Sequence, residues 1–168
     1  MKIVGLIFAF LLIVNFNVTA EVSKDHDYDL IFSDLDKLKN DLNDNLDNVP
    51  KSVRQLIKND KINVEFETSE NSITFYLVFK DGFVNEVSKG ILDNSDLDVY
   101  TKEKDINDIV RSTNPQSEFK TKIKNKNITY VPNGFWNRIK YNTMLNLFLK
   151  SNNVTGSYWK MFTGAFAK

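Results

Sequence analysis

The period of the apolar residues changes several times along the chain, and each change predicts an element. From Asp29 onward, Ile31, Leu35, Leu38, Leu42 and Val49 recur at three- and four-residue intervals, with Leu46 beside the stripe. Asp, Lys and Asn fill the remaining positions, as on the wet face of an amphipathic helix. Pro50 ends this helix, since proline lacks the amide hydrogen that a helix interior needs, and it can open another. Val53, Leu56 and Ile57 give that second helix a short apolar face.

The period then becomes two. Ile62, Val64 and Phe66 alternate with Asn63 and Glu65, which predicts a strand with one wet face. Ser69 to Asn71 form a turn, and Ile73 to Phe79 is β-branched and aromatic on both faces, the pattern of a central strand covered on both sides. Asp81-Gly82 predicts a hairpin, because both residues tolerate positive φ. Phe83 to Val87 is the returning strand, and Gly90 breaks it. Leu97 to Tyr100 is a fourth strand with Leu97 and Val99 on one face.

Helical spacing then returns. Ile106, Ile109 and Val110 form the inner face of a short helix, with Asn107 and Asp108 outside. Asn114 and Pro115 read as the N-cap and first residue of another, running to about Lys122, since the residue before proline is driven to extended φ/ψ. Ile128 to Val131 is a fifth strand, and Pro132-Asn133-Gly134 turns the chain into a long last helix. That helix carries two apolar faces about half a turn apart. Phe135, Trp136 and Ile139 share one; Tyr141, Met144, Leu145 and Phe148 share the other. Either the helix bends near Asn142 or it is buried on two sides. Strands grouped together, with helices before and after, give an α+β fold with helices on one face of a mostly antiparallel five-stranded sheet.

Composition narrows the chemistry. The 168 residues carry 22 basic and 22 acidic side chains, no cysteine and one histidine. A zero net charge offers no basic surplus for phosphates, which argues against nucleic acid as a partner. Without cysteine there is no thiol nucleophile, thiolate metal site or disulfide. His26, the single histidine, lies in an acidic stretch, so no serine triad is expected. Asp25, Asp27 and Asp29 fail as a calcium loop because Leu30 stands where the turn needs glycine. Asp93 to Asp98 reads as a solvated turn. No cofactor, metal or catalytic group is expected, and the protein is not expected to be an enzyme.

The ends of the chain have their own pattern. Met1-Lys2 precedes an almost unbroken apolar run, Ile3 to Ile13, and Val18 and Ala20 lie at the −3 and −1 positions before Glu21. This predicts a signal peptide over 1–20 and a secreted or extracytoplasmic protein. Val14 and Phe16 lengthen the run, which leaves a retained N-terminal membrane anchor as the alternative. Residues 21–28 read as an acidic lead-in, 29–150 as the domain, and 151–168 as a tail rich in aromatics, a candidate lid. Asn127-Ile128-Thr129 and Asn153-Val154-Thr155 are glycosylation sequons at Asn127 and Asn153.

Three stretches carry a resemblance. Lys80-Asp81-Gly82, the run Asp96-Leu97-Asp98-Val99-Tyr100 leading to Lys104-Asp105-Ile106, and above all Asn114-Pro115-Gln116-Ser117-Glu118-Phe119 resemble the sterol carrier protein domain. The likeness spans Leu30 to Leu149 and includes the order of elements. It implies a sheet with helices over one face and an apolar tunnel between them, binding acyl chains, sterols or phospholipids without catalysis. Gln116 would then meet the ligand, while the family's second amide contact, on the last helix, has no clear match here, Asn137 and Asn142 being only nearby amides. The expected wall is Phe75, Leu77, Phe119, Trp136, Ile139 and Met144. The polar stretch Lys122 to Asn127 departs from the family pattern. Two functional expectations follow. One is lipid binding or carriage, with a lipid or other apolar small molecule as partner and membrane contact as a further expectation. The other is a surface or envelope interaction protein that keeps the fold and has lost the tunnel.

Overall fold

The computed structural model describes residues 32–46 and 54–150. The expected signal segment, the acidic lead-in with His26, the helix end at Val49 and Pro50, Val53, Asn153 and the aromatic tail lie outside the described residues. Among those described, the elements are α1 (Leu35–Leu46), a 3-10 turn (Gln55–Ile57), β1 (Lys61–Glu67), β2 (Ser72–Lys80), β3 (Phe83–Lys89), β4 (Leu97–Lys102), α2 (Glu103–Arg111), α3 (Pro115–Lys124), β5 (Thr129–Pro132) and α4 (Phe135–Lys150). The fold is α+β, as expected.

The sheet order is β3-β2-β1-β4-β5. All neighbours are antiparallel except β1 and β4, which run parallel with Ile62 opposite Leu97 and Phe66 opposite Thr101. One face is the core face, carrying Ile62, Val64 and Phe66, Phe75, Leu77 and Phe79, and Leu97 and Val99. Leu38, Leu42 and Leu46 of α1, Ile106 and Ile109 of α2, Phe119 of α3 and Tyr141, Met144 and Leu145 of α4 join the same buried cluster. Phe32, just before α1, packs its ring against Phe66 and Phe75 at 5.5 and 4.8 Å. The expectation that β2 is central and covered on both sides does not hold. It lies one place from the edge, and Thr74, Tyr76 and Val78 on its other face are only half-buried. Leu46 belongs to the buried stripe of α1 rather than beside it.

Local chemistry fixes the element ends. Asp34 caps α1, its carboxylate accepting the Lys37 amide at 2.9 Å. Asn114 caps α3 in the same way, accepting the Ser117 amide at 3.1 Å, with Pro115 in the first helical position. The edge strand β3 is protected by a side chain. Asn43 of α1 donates to the Val84 carbonyl at 2.9 Å and accepts the Val84 amide at 2.8 Å, as a neighbouring strand would. A bulge lies beside it: Val78 pairs with Glu86 and Phe79 with Val84, leaving Asn85 over.

Asp108 keeps a half-exposed side chain, as its spacing implied, but it is not free on that face. It and Asp105 hold Lys122 of α3, at 2.5 and 2.9 Å. Burial pushes the Lys122 ammonium down, but hydrogen bonds to Asp108 and Asp105 outweigh it and leave the group above its ordinary value. Lys122, at the head of the polar stretch, is therefore buried and paired. It clamps α3 to α2, and β5 begins only at Thr129.

The Asp81-Gly82 hairpin is constrained twice. Both residues take positive φ, 54° and 85°, between the paired Lys80 and Phe83. A Cβ on Gly82 would also lie 2.8 Å from the Cβ of Arg54 and 3.0 Å from its carbonyl oxygen. Gly82→Ala is therefore expected to destabilise the domain by about 1–3 kcal/mol, read as a lower urea midpoint with an unchanged slope. An unaltered midpoint would show that the turn relaxes freely.

Candidate functional site

The last helix decides what the surface offers. Taking ~100° per residue, Tyr141, Met144 and Leu145 cluster on one side of α4, and Phe135, Trp136 and Ile139 lie roughly opposite. The first set is buried in the core. The second is 69, 77 and 46% exposed. Phe135 and Trp136 meet edge to face, with ring centroids 5.3 Å apart. Neither a bend nor burial on two sides is needed among the described residues: one apolar face packs and the other is presented to solvent.

Polar bonds hold that rotation. Asp60, buried at the head of β1, receives Lys140 Nζ at 2.7 Å on both oxygens and the Tyr141 hydroxyl at 2.5 Å. Burial, reinforced by the charge of Asp60 and the hydrogen bond to it, keeps the Tyr141 phenol protonated far above the ordinary range. One turn earlier, Asn137 donates to Asp96 Oδ1 and to the Asn133 carbonyl, both at 2.8 Å. Asn142 accepts the Tyr130 hydroxyl at 3.3 Å. These two amides of the last helix are thus engaged within the fold.

The expected wall residues divide. Phe75, Leu77, Phe119 and Met144 come together in the core, whereas Trp136 and Ile139 lie on the outer face of α4. Gln116 lies in the first turn of α3, three residues before the buried Phe119, and its side chain is outside the described residues. Asn127 is exposed in the turn before β5. Among the described residues, the hydroxyl of Thr101, on the core face of β4 in register with Phe66, stands inside the core without a hydrogen-bond partner.

A second surface feature escaped the sequence reading. The segment 90–96 crosses the open face of the sheet between β3 and β4, and Asn63 of β1 pins it there. The Asn63 side chain donates to the Leu92 carbonyl and accepts the Leu92 amide, both at 2.9 Å. Asp98 collects the Ser95 hydroxyl at 2.6 Å and the amides of Asn63 and Asn133 at 2.8 and 2.9 Å. Desolvation pushes the Asp98 carboxyl up, but these three donors outweigh it and hold it below its ordinary value. The expected solvated turn is therefore confined to Asp93 and Asn94, which are exposed, and does not extend to Asp98. Ser95 is buried, and Asp96 and Asp98 are half-buried and bonded. Between this strap and the sheet lies an open cleft of about 250 Å³, lined in part by Glu65, Thr74, Ile91, Asp93, Asp98 and Tyr100. Among the described residues no acidic or histidine group is placed to hold a metal ion, and no helix is long and apolar enough to cross a membrane.

No family model and no curated protein matches the chain. The solved structures that match are sterol-carrier-protein-like. A UbiJ-SCP2 ubiquinone synthesis protein is 16% identical, with a TM-score of 0.46 over 72% of this chain and 97% of that one. Sterol carrier protein 2 from Yarrowia lipolytica, in its apo form, is 17% identical, with a TM-score of 0.42 over 66% and 91%. Sterol carrier protein 2 like 2 from Aedes aegypti is 13% identical, with a TM-score of 0.38 over 55% and 73%.

The Asp98 cluster predicts acid lability. A carboxyl held below its ordinary value of 3.8 adds stability that is fully present above that value and is lost as pH falls through the lowered one. In Asp98→Asn this contribution is gone, so its stability should fall less steeply than wild type below about pH 4. Urea midpoints across the acid range check this, and parallel curves would reject it.

Proposed function

We propose that this domain is a non-enzymatic lipid-binding module. Its ligand is an acyl, sterol or isoprenoid chain taken up between the sheet and the helices, and the outer face of α4 is where lipid first meets the protein. The observation that carries this reading is the exposure of Phe135, Trp136 and Ile139 on a helix whose opposite face is fully packed. Apolar surface left in water costs ~25 cal/mol per Å², and contiguous apolar patches mark contact sites for lipid or partners. Tryptophan suits the water–lipid boundary because its ring is apolar and its N–H is polar. The unpartnered Thr101 hydroxyl supports an interior site, since a buried hydroxyl without a partner costs about 1–3 kcal/mol and a ligand's polar end would relieve it. Gln116 is the amide assigned to the head group, on the strength of the sterol carrier resemblance. A secreted or extracytoplasmic setting, with the protein free or anchored through its N-terminal segment, completes the proposal.

A second reading is favoured by a different observation. Phe75, Leu77, Phe119 and Met144 fill one continuous core. In a protein that keeps the fold without a tunnel, the outer face of α4 would meet a partner protein instead.

Native mass spectrometry of purified protein, followed by lipid extraction, separates the two. The first reading expects a reproducible bound lipid, and Trp136→Ala lowering its occupancy several-fold while the melting curve stays within a few degrees of wild type. Protein that is always empty, and that takes up no added fluorescent fatty acid, leaves the interaction reading in its place.

A further inference from the structure

We propose that the cleft between the 90–96 strap and the open face of the sheet is a binding site for a small organic cation, a primary or quaternary ammonium group. It lies on the opposite side of the sheet from the core and is independent of the lipid-binding reading.

The lining carries one sign of charge. Glu65 comes from β1, Asp93 from the strap and Asp98 from β4, and among the described residues no lysine or arginine lines the cleft. The neighbouring cation on β4, Lys102, is paired with Glu67 at 2.7 Å. Among the described residues the donors that hold Asp98 are neutral, Ser95, Asn63 and Asn133, so its orientation is set without a cation bonded to it. Low-dielectric walls with one sign of charge concentrate a counter-ion of the other.

The remaining walls decide which cation. Tyr100, 40% exposed, lines the cleft, and an aromatic face attracts an ammonium group within about 6 Å. Burial, then the charges of Asp98 and Glu65, raise the Tyr100 phenol, which places the ring in the negative field of those carboxylates. Ile91, 64% exposed, and Leu92 add apolar surface on the strap side. Methyl or methylene groups on an organic ammonium gain from that surface, and a hydrated inorganic ion does not. The carboxylates are also not grouped as a metal site. The volume of about 250 Å³ is just below that of pockets built for larger ligands, which suits a single small group.

The ammonium could be carried by a free amine or by a lipid head group, and two arms distinguish them. In the first, amide NMR spectra are recorded at low salt with added tetramethylammonium chloride or ethanolamine hydrochloride, against sodium chloride at equal ionic strength. Saturable shifts are expected at the Asn63 and Asn133 side-chain amides and the Leu92 backbone amide. They should weaken about five-fold in Glu65→Gln/Asp93→Asn and about two- to five-fold in Tyr100→Leu. Both altered carboxylates are exposed, so the double variant should fold. In the second arm, sedimentation with phosphatidylcholine vesicles is compared between wild type and the double variant. Lipid head groups are the source if the variant loses sedimentation; free amines are the source if only the first arm responds. Shifts no larger than with sodium chloride together with equal sedimentation, or shifts unchanged in the double variant, overturn the proposal.

Discussion

The parallel pairing of β1 with β4 is the constraint on which the rest of the structure depends. β1, β2 and β3 form an antiparallel meander, so the chain leaves β3 at one edge of the sheet. To place β4 beside β1 it must cross β2 and β1, and residues 90–96 do so on the open face. A crossing segment brings backbone amides and carbonyls over the sheet, and each needs a partner. The Gly90 amide finds the Thr74 carbonyl, the Asp96 amide finds the Lys61 carbonyl, and both groups of Leu92 bond to the side chain of Asn63. Asn63 is buried on a sheet face that otherwise meets water because it stands in for a strand that is not there. Asn43 uses the same device at the β3 edge, where it serves both groups of Val84.

The crossing also sets the rotation of α4. Asp96, at the end of the strap, accepts the Lys61 amide on one carboxylate oxygen and Asn137 of α4 on the other, while its carbonyl accepts the Asn133 amide. The two faces of α4 are closely matched in apolar content, with Phe135, Trp136 and Ile139 against Tyr141, Met144 and Leu145. Burying either set contributes about 1.5–3 kcal/mol per side chain, so the hydrophobic effect alone barely chooses between them. The bonds from Asn137 to Asp96 and from Lys140 and Tyr141 to Asp60 do choose. Hydrogen bonds to charged groups contribute about 1.5–3 kcal/mol each, and all of them break if the helix turns over.

This explains what the sequence made legible. All five strands, the Asp81-Gly82 hairpin and the Asn114-Pro115 helix start are readable, because each is a local matter of period or turn chemistry. The pairing of β1 with β4 is not local, and its signs are single polar residues. Asn63 sits at a position that alternation assigns to the wet face, so nothing in the pattern marks it as buried. Lys122 and Asp108 read as surface charges because their partners lie on another helix. Among the expected site residues, those with helical or strand spacing, Phe75, Leu77, Phe119 and Met144, do converge. Trp136 and Ile139 are separated from them by a rotation that the apolar pattern leaves undecided. The cleft was illegible for the same reason, since a strap crossing the sheet leaves no period in the sequence.

Holding an apolar face outward by polar bonds has a consequence for binding. Asn133 donates to Ser95 and Asp98 on the strap side, and its carbonyl accepts Asn137 one turn into α4. Gly134, at φ 82°, makes the sharp turn between them that a residue with a Cβ would resist. The start of α4 is thereby tied to the sheet at several points, and the Phe135–Trp136 pair sits directly on that joint. A surface fixed in this way loses little conformational freedom when it is covered, so more of its buried area remains as net affinity. A face left exposed by loose packing would have to order first. In the proposed role, the rigidity of the joint, more than the number of apolar side chains on it, would favour contact at the outer face of α4.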